Sequence, residues 1–133
     1  AVLEHVYDPN SMIGAISKLA DSGALIYLDV PNEPNLLTMA GNLIERIRGS
    51  QTVLNLAPSW TPYHVYGFNK KSMKTLLLKH GFEITQINVS AAPVIPSNAQ
   101  IKDRVKALVA TQINRIANLT GTAGNMSIWA RKI

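Results

Sequence analysis

Residues 24–30 read ALIYLDV and are followed at once by PNEPN. A half-buried strand alternates apolar and polar residues, but here the apolar residues run on. That is the pattern of a strand covered on both faces, as in a parallel sheet flanked by helices. Pro31 and Pro34 end it, because proline has no N–H to give to a ladder. Such a strand wants a neighbour on each side, and any fold for this chain has to supply them.

The surrounding pattern is that of an α/β chain. In SMIGAISKLAD the residues Met12, Ile13, Ile16 and Leu19 recur at helical spacing, with Asp8 or Asn10 as cap and Pro9 in the first turn. LLTMAGNLIERIRGS carries a second stripe through Leu36, Leu37, Ala40, Leu43, Ile44 and Ile47. NKKSMKTLLLKHG is a third helix, with Asn69 as cap and Gly81 as stop. FEITQINVSA is a strand. QIKDRVKALVATQINRIANL is a fourth helix, whose Ile101, Val105, Leu108, Val109, Ile116 and Leu119 form a face for docking. NMSIWARKI is a last strand. Helices alternating with strands predict a layered α/β fold of one domain, 1–133.

Composition excludes several classes. With 47% hydrophobic and 16% charged residues the chain can bury a core. Its longest apolar runs are too short to span a bilayer, and no basic segment with a following apolar stretch opens it. There is no cysteine, which removes disulfides, thiolate zinc sites and thiol nucleophiles and fits a cytoplasmic protein. The net charge is +5, but the basic residues are scattered and aromatics are only 6%. A nucleic-acid binder would show a basic stripe with aromatics between, so the charge reads as a solvated face and no nucleic-acid partner is expected.

Glycines are isolated, so no loop cradles a phosphate, and no H-E-x-x-H is present; no metal ligand is assigned. Three constellations remain. Glu4 and His5 are adjacent, and adjacent side chains diverge on a helix or turn, so either capping or two separate tasks is open. YHVYGF, with Trp60 upstream, gathers Tyr63, His64, Tyr66 and Phe68 into one loop, as a pocket wall or a core cluster. Asp29 sits inside the apolar strand just before VPN, near the carboxyl end where ligands gather in doubly wound sheets, unless a structural partner neutralises it. His80, at a helix end, reads as a dipole partner.

Taken in order, VLEHVYDP, LADSGALIYLDVPN and YHVYGFNKKSMKTLLLKHGFEI resemble the class I S-adenosylmethionine-dependent methyltransferases, in particular the ubiquinone-type and small-molecule branch. DSGA stands where that family usually has a double glycine, and His64 and Phe68 are one residue further apart than is commonest. The resemblance covers about residues 1–90, with MSIWARKI as the family's last, antiparallel strand. The linker and helix within 91–125 read as an insertion between the last two strands.

The resemblance implies a Rossmann-like fold with about three strands, the last antiparallel, flanked by helices. It implies S-adenosylmethionine as cofactor and a small-molecule methyl acceptor. Leu3, Glu4 and His5 match the segment bordering the cofactor, with His5 as catalytic residue. Pro31, Asn32, Trp60, Tyr63 and His64 match the substrate side. In ubiquinone-type members the Glu-His pair is also linked to a divalent metal. The family's first strand, Gly-rich loop and ribose-binding acid have no counterpart here. The chain therefore reads as the C-terminal half of a domain, with most cofactor contacts expected in a missing N-terminal half and activity lost in isolation. ALIYLDV would then present an open edge, with self-association through it. The competing reading is a non-catalytic methyltransferase-like interaction module.

Overall fold

The computed structural model describes residues 2–54, 63–94 and 101–133. Its elements follow in chain order. A single 3-10 turn, Leu3–His5, leads into α1 (Pro9–Leu19), β1 (Leu25–Pro31), α2 (Leu36–Ile47), α3 (Lys70–Lys79), β2 (Phe82–Ser90), α4 (Ile101–Thr120) and β3 (Asn125–Lys132). Two compact units divide the chain: Ala1–Glu33 with Leu56–Asn88 and Asn125–Ile133, and Pro34–Asn55 with Val89–Gly124.

Local chemistry sets the helix starts. Asp8 caps α1 by accepting from the Ser11 backbone N–H, and Pro9, with no N–H to orphan, takes the first position. Asn69 and Ser72 form a reciprocal capping box on α3. Gly81, at φ 73, supplies the left-handed turn that ends α3 and starts β2. The carbonyl of His80, at that helix end, accepts from Ser17 Oγ at 2.7 Å and Lys132 Nζ at 3.1 Å. The His80 ring meets Asn10 Oδ1 at 3.0 Å and lies against Gly14, so the ring joins α1 to α3 and it is Lys132 that serves the helix terminus.

The sheet has the order β1-β3-β2, with β3 in the centre. β1 and β3 are antiparallel, with Leu28 opposite Ile128 and Val30 opposite Met126. The last strand is antiparallel, as expected. The core of this unit lies on one face of the sheet: Val30, Met126, Ile128 and Ala130 are buried there, and Ile13, Met73, Leu77 and Phe82 are also fully inside.

The other face differs from expectation. Leu25 is 55% exposed, Tyr27 51% and Trp129 43%, although ALIYLDV reads as doubly covered. Register explains it: Leu25 and Tyr27 share a face with Arg131 and Trp129, and only the opposite face meets the core. Tyr27 and Trp129 meet across the strands as tilted rings with centroids 5.0 Å apart. Among the described residues β1 has one strand neighbour, β3, so its second edge is unpaired.

In the second unit α2 packs against α4. Asn35 caps α2, yet no residue of that helix is fully buried. Ala107, Asn114 and Ala117 form the inward side of α4. Its Thr111, Asn114 and Asn118 hold the extended segment 91–94: Asn118 exchanges two bonds with the Ala91 backbone at 2.7 and 3.0 Å, Asn114 donates to the Ala92 carbonyl, and Val94 N–H donates to Thr111.

Candidate functional site

Among the described residues neither Glu4 nor His5 caps a helix; the cap of α1 is Asp8. The 3-10 turn that carries them has no side-chain cap. Glu4 is 1% exposed, and its backbone carbonyl accepts from the N–H groups of Val65 and Tyr66 at 2.7 and 3.3 Å. Nor do the two side chains diverge. His5 Nε2 stands 3.5 Å from Glu4 Oε1, because both side chains fold toward the segment 63–66 that binds the turn. The expectation of capping gives way to a convergent pair.

His5 Nδ1 lies 2.9 Å from the Tyr63 carbonyl. A carbonyl only accepts, so Nδ1 carries the proton and donates. That leaves Nε2 turned toward the Glu4 side chain. His64 completes the group, its ring centroid 4.9 Å from that of His5. Glu4 Oε2 and His64 Nδ1 are buried with no hydrogen-bond partner among the described residues. One donor atom from each of Glu4, His5 and His64 lies within 4.8 Å of the others.

One carboxyl group and two imidazoles gathered in this way, with two buried polar atoms left without a partner among the described residues, form a donor set suited to a divalent cation. The Tyr63 carbonyl supplies the outer-shell bond that orients a ligating histidine. Sequence reasoning that assigns no metal ligand misses this set, since His64 is remote from the Glu-His pair in the chain. The family link of that pair to a metal was the signal available.

The loop YHVYGF is anchored in the core through Phe68. Phe68 is buried, and Tyr63 and Tyr66 are exposed, with Tyr66 Oη donating to the Tyr7 carbonyl at 3.0 Å. At its other end the loop meets the end of β1. Asn32 and Phe68 form an isolated parallel bridge, and Glu33 N–H donates to the Phe68 carbonyl at 2.7 Å. So 63–68 connects the His5 cluster with the Pro31–Asn32 segment. Asn32 is buried and Pro31 half-buried. Trp60 lies outside the described residues. Asp29 has a structural partner: Asn125 Nδ2 donates to its Oδ1 at 2.8 Å across the β1–β3 pair.

Leu3 is 3% exposed. It lines a cavity of about 260 Å³ with Val2, Ile13 and the consecutive residues Tyr27–Val30. Because both faces of β1 contribute, the cavity follows the unpaired edge of the strand.

No protein-family model matches the chain, and no curated protein matches it in sequence. Among solved structures, the chain is similar to a SAM-dependent methyltransferase from Archaeoglobus fulgidus, at 20% identity and a TM-score of 0.51. The match covers 98% of this chain and 56% of that one, so the chain spans little more than half the length of its structural neighbour. The likeness shows a methyltransferase-like α/β fold.

Proposed function

We propose that this chain is the acceptor-side, C-terminal half of an S-adenosylmethionine-dependent methyltransferase domain that methylates a small-molecule acceptor. The observation that carries the reading is the convergence of Glu4, His5 and His64 in a methyltransferase-like fold whose β1 keeps one edge unpaired. Leu3, Glu4 and His5 border the cofactor in this reading. Pro31, Asn32, Trp60, Tyr63 and His64 face the acceptor. The glycine-rich half that grips the methyl donor pairs along β1, and without it the chain is inactive.

Methyl transfer is an in-line displacement. An acceptor oxygen forms the new bond to the methyl carbon as the carbon–sulfur bond of the sulfonium breaks, and the hydroxyl proton leaves to a base. Positioning supplies most of the rate. His5 is the proton acceptor: the Tyr63 carbonyl holds Nδ1–H, which leaves Nε2 to take the proton. Glu4, 3.5 Å away, stabilises the imidazolium that forms. The His5 side chain is 23% exposed, enough for an acceptor to reach it. A divalent cation, when held by Glu4, His5 and His64, would act as a Lewis acid toward the acceptor hydroxyl. In that state His5 positions and does not accept.

The test is the coding frame ahead of Glu4, followed by donor titration. The reading expects a strand and a Gly-rich loop roughly 70 to 90 residues upstream. It also expects no saturable shift of the resonances of residues 2–6 when S-adenosylmethionine is added to this chain alone. A frame without such a loop, or tight donor binding by the isolated chain, overturns it; the first outcome favours the non-catalytic interaction module.

A further inference from the structure

Helix α4 has a second face that no described residue covers. Ile101, Val105, Leu108, Val109, Ile116 and Leu119 fall on one stripe at 3.6 residues per turn. They are between 53% and 88% exposed. The stripe lies opposite the inward side made by Ala107, Asn114 and Ala117. Arg104 and Arg115 run along one border of the stripe, and Lys102 and Lys106 along the other.

The fully exposed charged residues of the unit all have one sign. Arg46, Arg48, Lys102, Arg104, Lys106 and Arg115 are all exposed. Its two acids, Glu45 and Asp103, are half-buried, and Glu45 is paired with Arg48 at 3.1 Å. Six basic and two acidic residues leave a net +4 on this unit, most of the +5 of the whole chain.

We propose that α4 is an interfacial helix that lies on an anionic lipid surface. The six aliphatic side chains enter the boundary between headgroups and acyl chains. The four flanking cations reach the headgroup phosphates, their stems lying along the apolar stripe. A convex aliphatic ridge with cations on both borders suits a flat anionic surface, whereas a protein groove would need acids placed on both of its rims. No helix among the described residues is long and apolar enough to cross a membrane, so α4 lies on the surface and does not span it. This inference stands apart from the methyltransferase reading and uses none of its residues.

Co-sedimentation of the chain with vesicles tests it. Vesicles of phosphatidylcholine with phosphatidylglycerol should bind at least about 100-fold more tightly than phosphatidylcholine alone, from four cations near the surface. Raising the salt should weaken the binding. R104Q/R115Q should lower it on the order of tenfold. L108S/I116S should lower it on the order of tenfold through lost apolar insertion. Both pairs change exposed residues, and far-UV circular dichroism should match wild type. Equal binding to the two vesicle types, or undiminished binding of folded L108S/I116S, overturns the proposal. So does capture of an acidic protein by this face without vesicle binding.

Discussion

The three-residue donor set makes a quantitative prediction. Its ligands are one carboxylate and two imidazoles within 4.8 Å, with Glu4 Oε2 and His64 Nδ1 lacking any partner among the described residues. A cation that binds the folded chain alone stabilises it by mass action. At a concentration of about 100 times Kd the gain is about 2.7 kcal/mol. For a chain of this size that raises Tm on the order of 10 °C. The assay is thermal unfolding with and without zinc, manganese or magnesium. Glu4→Gln keeps the volume but removes the anionic ligand, and His64→Ala removes a second ligand from the opposite segment. Each should abolish most of the shift. The Glu4→Gln protein should also unfold no lower than wild type without metal, because the buried carboxylate it replaces has an unpartnered oxygen. Absence of any shift in wild type, or an equal shift in both variants, refutes the reasoning.

Two further perturbations test the framework. The Ser11 hydroxyl, with the Ser11 backbone N–H, holds the Asp8 carboxyl below its ordinary value of 3.8. A group depressed in the folded state stabilises above its unfolded pKa, and that contribution is lost as pH falls through the folded value. Asp8→Asn should therefore flatten part of the acid limb between about pH 5 and pH 2, and superimposable pH profiles would count against the cap. Ile128 is fully buried in the central strand opposite Leu28. Ile128→Ala should cost about 2–5 kcal/mol in urea unfolding, and a cost under about 1 kcal/mol would mean that the core has been misplaced.

Local chemistry made much of the fold legible. Asp8-Pro9 and Asn69 announce their helices because capping involves residues three apart, and Gly81 announces a stop because only its φ is needed. Short apolar segments bounded by turn residues located β1, β2 and β3. What the sequence could not carry was which surfaces have cover. The apolar run at 24–30 states that Leu25 and Tyr27 are hydrophobic, not that anything packs on them. The stripe on α4 reads as a docking face, yet the side turned inward is the small and polar one, Ala107, Asn114 and Ala117, next to which Thr111 and Asn118 join Asn114 in holding segment 91–94. The candidate site was half legible. Glu4 and His5 stood out as a pair, but their convergence depends on Tyr63 and on the 65–66 backbone, and His64 joins only in three dimensions.

The unpaired edge of β1 is the feature on which the half-domain account turns. Lys132 N–H donates to the Ala24 carbonyl at 2.8 Å, which sets the alternation of the β1–β3 ladder. By that alternation the N–H groups of Ile26, Leu28 and Val30 point to β3, and those of Leu25, Tyr27 and Asp29 point to the open side. Residue-resolved hydrogen exchange on the dilute monomer measures both sets directly. The account predicts slow exchange at 26, 28 and 30 and fast exchange at 25, 27 and 29. Equal, strong protection of the two sets would contradict it.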